Sequence, residues 1–519
     1  MVDVTERTPC GRPLRDVIVA LGLGAITVLG FAPFYIFPLP VLTLACLLGL
    51  WERARAHRER FFFGFAWGFG CFLGGVSWVY VSLHTFGAMP APLAVLTTLL
   101  LCALLALFPA LAGLATGALA PTPVARSLLA FPASWTLIEW VRGWFFTGFP
   151  WLAVGYSQAP ASPLAGFAPL LGVYGVSLVT ALSAGLLYLA WRMRRKRCAA
   201  ACIAALVLLW SGGAILQARD WTQPAGEPVS VSLIQGNIPQ EIKWREDQLR
   251  ATLDTYLRLI RSTQSKLIVL PETALPLYFQ DVPPEYLGQV EAYARAIGAD
   301  VLIGLPEYGT GKDEYFNSVI TFGASPRQVY RKHHLVPFGE FVPLKALLGW
   351  FVEAVAIPLL DFSRGPLGQP PLAVAGQKVA VNICYEDLFG EEIIRQLPEA
   401  TILVNVSNVA WFGESLAPAQ HLQISQMRAL EAGRPMLRAT NTGMTAVIDP
   451  RGRVEAMAKP FTEAIVRADV QGFAGATPFV RLGNQGAVLL AIALAFTALV
   501  IRLRERPRHR SAQQRYPLR

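Results

Sequence analysis

The sequence of 519 residues is short of charge. Asp, Glu, Lys and Arg make up 15% of it, against 54% apolar residues, whereas a soluble domain carries about 25% charged residues. With a mean hydropathy of +0.43, that deficit excludes a disordered chain and argues against an ordinary soluble enzyme. Cysteine is scarce too. Seven residues in a chain of this length exclude a small disulfide scaffold. Acidic residues are nearly missing from part of the chain. Outside residues 217–482 there are 7 Asp and Glu beside 21 Lys and Arg; inside there are 28 beside 24. The net charge of +10 is therefore not a nucleic-acid signal. The one large polar segment carries −4, and the positive charge flanks the most apolar regions, where it reads as membrane topology.

Seven apolar stretches precede residue 217, at about 16–31, 36–51, 61–82, 92–120, 126–145, 162–191 and 198–216, and an eighth runs about 485–501. A span needs about 20 mostly apolar residues, so the first two are short unless their flanks extend them. The connections alternate in charge. One set holds Arg7, Arg12 and Arg15; Arg53, Arg55, Arg58 and Arg60; Arg126; Arg192 to Arg197; and Arg502 to Arg519. The other set, around 32–35, 83–91 and 142–161, holds only Arg142. Basic short loops stay cytoplasmic. Residues 1–216 are thus expected to form a transmembrane domain of about seven helices, 217–482 an outer domain, and 483–519 a last helix with a basic cytoplasmic tail. A cleaved signal peptide competes for the first stretch, but Phe31-Ala32-Pro33-Phe34 offers no small-x-small cleavage site. Glu139 stands out as an intramembrane carboxylate, and an ion pair with Arg142 is its expected role. Trp140, Trp144 and Trp151 suit an interfacial belt.

Residues 217–482 change character. Short β-branched runs at 229–233, 267–270, 301–305, 318–322, 379–383, 402–406, 436–439 and 445–448 alternate with helical patterns at about 244–263, 284–297, 390–396 and 419–432. This is an α/β pattern with a sheet covered by helices. An apolar insertion at 341–362 is either core or a loop that dips into lipid, and in the second case a candidate lid. The domain has one cysteine, Cys384. A cysteine left over outside the membrane is either a reactive thiol or a small buried core residue. Three polar segments at strand ends tilt the choice: Leu270-Pro-Glu272-Thr273, Tyr330-Arg-Lys332-His-His334 through Glu340, and Asn382-Ile-Cys384-Tyr-Glu-Asp387. A carboxylate base, an amine and a thiol form a complete set for acyl transfer. His333, His334 and His421 keep a Cys-His pair open. A metal site is not expected, because one cysteine and no ligand-like Cys/His spacing are present.

At these residues the sequence resembles the nitrilase superfamily, and the likeness extends to Gln235-Gly-Asn-Ile-Pro-Gln240 with Lys243-Trp244, Ser407-Asn-Val-Ala-Trp-Phe-Gly413 and Arg438-Ala-Thr-Asn-Thr-Gly443. With Ser77-Trp-Val-Tyr80, Gly148-Phe-Pro-Trp-Leu152 and Gly155-Tyr-Ser-Gln158 in the apolar part, nearly the whole chain is similar to its membrane-bound branch, the apolipoprotein N-acyltransferases of bacterial inner membranes. The resemblance implies a multi-pass α-helical membrane domain of about eight spans, seven before and one after an extramembrane α-β-β-α sandwich. It implies Glu272 as general base, Lys332 as oxyanion stabiliser and Cys384 as nucleophile, with Glu340 orienting the lysine, Tyr385 offering a second oxyanion N–H, and Glu386 and Trp244 near the site. It implies acyl transfer from a membrane phospholipid, phosphatidylethanolamine, to the α-amine of an S-diacylglyceryl-cysteine apolipoprotein through a Cys384 thioester. No cofactor, metal or nucleic acid enters, the catalytic domain is periplasmic, and the chain acts as a monomer. A tethered amidase using water as acceptor is the alternative. One position departs from the pattern: Val409 stands where the family commonly has Asp, which puts a polar role there in doubt.

Overall fold

The computed structural model describes residues 12–311, 314–343 and 361–513. Each apolar stretch contains helix: Arg12–Thr27, Pro38–Arg53, His57–Val76, Ala91–Leu119, Phe131–Arg142, Ala168–Arg192, Lys196–Ala218 and Gln485–Gln513. Four of the described helices are long and apolar enough to cross a membrane. A fifth qualifies if His57–Val76 and Val79–Phe86, bent by 55°, count as one broken span. Arg12–Thr27 and Pro38–Arg53 have 16 residues each and Phe131–Arg142 has 12, short of the roughly 20 a crossing needs. Of the candidate lid, positions 344–360 lie outside the described residues.

Small residues let these helices approach backbone to backbone, since lipid supplies no hydrophobic drive between them. Gly64 and Gly68 face Pro109 and Ala106. A side chain at Gly24 would meet the Trp67 carbonyl oxygen at 1.8 Å, and one at Gly70 would meet that of Leu21 at 2.1 Å. Helix Ala168–Arg192 breaks at Gly172, whose φ of +66° needs a residue without Cβ.

The polar segment forms two six-stranded sheets and one two-stranded sheet, which pairs its first and last strands. In chain order the strands are β1 (Gln223–Pro224), β2 (Val229–Gln235), β3 (Leu267–Val269), β4 (Asp300–Tyr308), β5 (Tyr315–Gly323), β6 (Val329–Arg331), β7 (Leu372–Val374), β8 (Gln377–Ile383), β9 (Ile402–Ser407), β10 (Met436–Thr440), β11 (Ala446–Ile448), β12 (Val454–Met457), β13 (Ala464–Val470) and β14 (Phe473–Ala474). One sheet runs β13-β2-β3-β4-β5-β6 and the other β12-β11-β10-β9-β8-β7. Strand alternation sorts the side chains into layers. Val231, Leu233, Val269 and Leu302 meet Val379, Val381, Val404 and Leu437 between the sheets. Ile234, Ile268 and Ile303 point out, under helices Glu246–Arg261 and Pro284–Ala296. Ala380, Leu403 and Met436 point out on the other side, under Ala417–Ala432. This is a four-layer α-β-β-α sandwich.

Ala417–Ala432 also joins the two parts of the molecule. Every residue in it is buried, although its composition is only weakly apolar. Leu422 and Ala429 pack on the sheet, while Ile424, Met427 and Leu430 pack among the apolar helices. Its polar side chains find partners across the junction, as buried polar groups must. Gln423 accepts from Ala32 N at 2.9 Å and donates to Ala159 O at 2.9 Å. Glu431 accepts the Val173 N–H at 2.7 Å, the first amide after the Gly172 break.

Gly70→Val is expected to force Arg12–Thr27 from His57–Val76 and to cost about 1–3 kcal/mol, the usual range for overpacking. Gly22→Ala, with nothing within 4 Å of its new methyl, serves as the neutral control. Thermal unfolding of both variants in detergent measures the difference.

Candidate active site

Three strand ends converge. β2, β3 and β4 are parallel neighbours, and β5 and β6 each reverse direction, so β6 runs with β4. β8, β9 and β10 are parallel in the other sheet. Glu272 follows β3, Lys332 follows β6 and Cys384 follows β8, each beyond a carboxyl end, where open α/β sheets place their ligands.

Lys332 is fully buried. Its Nζ donates to Glu272 Oε1 at 3.2 Å and to Glu340 Oε1 at 2.9 Å. Asn317, on β5, bridges the two carboxylates: its Nδ2 donates to Glu272 Oε1 at 2.8 Å and to Glu340 Oε1 at 3.0 Å. Glu272 Oε2 accepts the Asn408 backbone N–H at 2.8 Å, across from the other sheet. Glu340 Oε2 accepts the Val336 N–H at 2.8 Å, which closes the loop that carries it.

Cys384 sits where β8 turns into a short 3-10 segment, Cys384–Leu388. Its φ is +53°, a left-handed conformation that is costly for a residue with a Cβ and that persists only when its surroundings enforce it. Glu386 is one enforcer. Its carboxylate accepts from Ile383 N at 2.7 Å, His333 N at 2.7 Å, His334 N at 3.1 Å and the Tyr330 hydroxyl at 3.0 Å. It thus ties the cysteine turn to the lysine strand. The Tyr385 hydroxyl donates to Gly148 O at 2.8 Å, in the apolar part.

The electrostatics separate the three groups. Burial raises Glu272, but the Lys332 charge and the hydrogen bonds from Asn317 and Asn408 more than reverse it, so its pKa lies below the ordinary glutamate value. Burial lowers Lys332, and Glu272, Glu340 and the thiol outweigh that, so it lies above the ordinary lysine value. Burial and then the Glu272 charge push the Cys384 thiol up, with Lys332 opposing. The resting site at neutral pH is a carboxylate, an ammonium and a protonated thiol. Burial pushes Glu386 up to about 7 against its hydrogen bonds.

The remaining expectations sort as follows. Trp244 is 46% exposed, while its neighbour Lys243 is buried, with Nζ 3.5 Å from the Glu272 carbonyl oxygen. Burial brings Lys243 down to about 8. His333 bonds to Gly365 O, His334 to Glu392 and Thr147 O, and His421 to Cys384 O. Among the described residues none of these rings is bonded to the thiol. Val409 is buried, and a Cβ on Gly443 would meet its Cγ2 at 2.2 Å, so the apolar side chain packs on the Asn441–Gly443 turn. Glu139 pairs with Arg142 at 3.8 Å and also accepts from Val154 N and the Ser177 hydroxyl. Among the described residues no group of three His, Cys, Asp or Glu side chains could hold a metal. Sequence reasoning missed Asn317, which lies inside an ordinary strand pattern, and gave no role to Lys243 or Asn408, although both stand in quoted motifs.

Two parts of the chain match family models. Residues 230–479, which contain the sandwich, match the carbon-nitrogen hydrolase model. Residues 23–186 match the apolipoprotein N-acyltransferase N-terminal domain. The apolipoprotein N-acyltransferase of Nitrosomonas europaea is 54% identical over 489 residues, 92% of this chain and 97% of that protein. That of Chromobacterium violaceum is 47% identical over 500 residues, 96% of each. A carbon-nitrogen hydrolase structure from Helicobacter pylori G27 has 18% identity and a TM-score of 0.36, over 47% of this chain and 89% of that one. The chain belongs to the apolipoprotein N-acyltransferase family.

Alkylation of Cys384 on the folded protein reads these electrostatics. Glu272→Gln removes a charge that raises the thiol pKa, so iodoacetamide labelling at pH 7.5 should accelerate, about tenfold for each unit the pKa falls. Lys332→Met removes the opposing charge and should slow labelling. Equal rates in both variants and wild type would contradict the arrangement.

Proposed function

We propose that the chain N-acylates lipoproteins in two steps at Cys384. In the first, the thiol attacks the ester carbonyl of a membrane phospholipid, with phosphatidylethanolamine as donor. Glu272 takes the thiol proton. The Lys332 ammonium, with a third N–H beyond those given to Glu272 and Glu340, stabilises the oxyanion. The Tyr385 backbone N–H, at the start of a helical turn, is the second donor. The ester C–O bond breaks, the proton passes from Glu272 to the leaving oxygen, and lysophospholipid departs from a Cys384 thioester. In the second step the α-amine of an S-diacylglyceryl cysteine attacks the thioester. Its proton goes to Glu272 and on to the sulfur as the C–S bond breaks, leaving an amide. A thioester is reactive enough to acylate an amine without a nucleotide.

The observation that carries this reading is the buried lysine clamped between two carboxylates at the pole where Cys384 turns out of its strand, on a domain docked to apolar helices. Both substrates are lipid-anchored, so docking supplies proximity and an apolar approach limits water as a competing acceptor. The charge pattern supports insertion in a bacterial inner membrane, with both termini cytoplasmic and residues 217–482 periplasmic. Residues 1–216 and 483–519 are the membrane parts, and the chain works as a monomer.

Intact mass spectrometry after incubation with phosphatidylethanolamine in detergent tests the first step. An acyl mass that hydroxylamine removes is expected on the wild type and none on Cys384→Ala. A diacylglyceryl-cysteine peptide should discharge it and gain the acyl group. Lys332→Met should slow adduct formation by about 10²–10³, the usual cost of one oxyanion donor. A folded wild type without adduct would overturn the phospholipid-donor reading.

A further inference from the structure

His421 has no part in the chemistry above, yet it touches the cysteine. It lies on Ala417–Ala432, is 1% exposed, and its Nε2 is 3.2 Å from the Cys384 carbonyl oxygen. A carbonyl only accepts, so Nε2 carries the proton and Nδ1 the lone pair. The same oxygen accepts from Asn405 Nδ2 at 3.3 Å. Two donors therefore hold the carbonyl of a residue whose φ of +53° the chain would otherwise relax. Relaxing it would change the direction in which Cβ and Sγ leave the backbone.

The imidazole is in turn held from the apolar helices. The Trp151 ring lies beside it, with centroids 5.6 Å apart. The preceding residue, Gln420, accepts through Oε1 from Trp151 Nε1 at 2.7 Å and Trp78 Nε1 at 3.3 Å. Trp78 stands at the bend after His57–Val76 and Trp151 in the loop after Phe131–Arg142. The charged neighbours do not recruit the ring as an acid. Asp387 is 3.8 Å from Nε2 but is engaged by Ser425 and Arg438. Burial, then the Arg438 charge, keep the imidazole neutral. What remains to it is a hold on the backbone.

We propose that His421 is a positioning residue for acyl transfer. Its Nε2–H fixes the Cys384 carbonyl and with it the left-handed backbone that aims Sγ, while the Trp78–Trp151–Gln420 contact sets the imidazole from the membrane side. The inference rests on Cys384 as nucleophile. It makes the geometry of the nucleophile depend on the docking of the catalytic domain.

The test follows acyl-adduct formation on the purified full chain with phosphatidylethanolamine, by time-resolved intact mass. His421→Leu removes the donor and roughly keeps the volume; His421→Gln restores an N–H at the same reach. The Leu variant should form adduct about 10²-fold more slowly, the scale of a slightly misplaced reacting group, with the half-saturating phospholipid concentration within about twofold of wild type. The Gln variant should regain most of the rate at an equal melting temperature. Should the Leu variant not fold, Gln420→Leu, which leaves the Trp151 indole without its acceptor while Trp78 keeps the Gly75 carbonyl, should show the same loss in rate in smaller measure. A folded Leu variant at the wild-type rate, or a Gln variant no faster than Leu, overturns the positioning role and leaves the nucleophile standing. A wild type that forms no adduct overturns both.

Discussion

A lysine with no exposed surface is costly unless its charge is met, and everything at the reactive pole of this protein is arranged around meeting it. Glu272 and Glu340 approach Lys332 Nζ from two sides. Two carboxylates around one ammonium leave a surplus negative charge, which Asn317 and the backbone N–H groups of Asn408 and Val336 answer with hydrogen bonds. Removing one partner from such a buried set strands the others. The cluster therefore holds together residues from β5, from the segments after β3, β6 and β9, and from the loop ending at Glu340. The thiol is added to a site whose charges already answer one another, and burial, then the Glu272 charge, keeps it protonated until a base takes its proton.

The second constraint is the burial of Ala417–Ala432 between a sheet and a bundle of apolar helices. A helix covered on all sides is normally apolar all round. This one carries Gln420, Gln423, Gln426, Arg428 and Glu431, all buried. Two of them serve broken or irregular backbone: Gln423 bonds at Ala32 and Ala159, and Glu431 meets the amide freed at Gly172. The irregularities in the apolar region are thus satisfied by the catalytic domain.

Much of the architecture was legible in the residues. The strands with unbroken β-branched runs, β2, β3, β4, β5, β8, β9, β10 and β11, stand out because both of their faces are buried. The strands missing from that reading, β1, β6, β7, β12, β13 and β14, are short or carry exposed charge, as Arg467 and Asp469 do on β13, so no apolar pattern marks them. The helix Ala417–Ala432 could be seen, but not its burial on every side, because burial depends on what packs against it. The ionic residues at the site stood out as polar chemistry at strand ends. Asn317 did not, because an amide inside a strand looks the same whether it bridges two carboxylates or faces water.

Hydropathy and charge alone divide the chain into an apolar, cation-flanked part and a polar α/β part, because both are properties of composition. The order in which carboxylate, amine and thiol follow their strands can be read from the residues as well. Only the tertiary structure decided that these three meet. β3 and β6 lie in one sheet and β8 in the other, and their carboxyl ends share a pole because the two sheets stack with that register. Only the tertiary structure decided, too, that Glu386 is a tie between segments and that Cys384 is held at positive φ. Those outcomes depend on donors contributed from distant parts of the chain, and no local pattern encodes them.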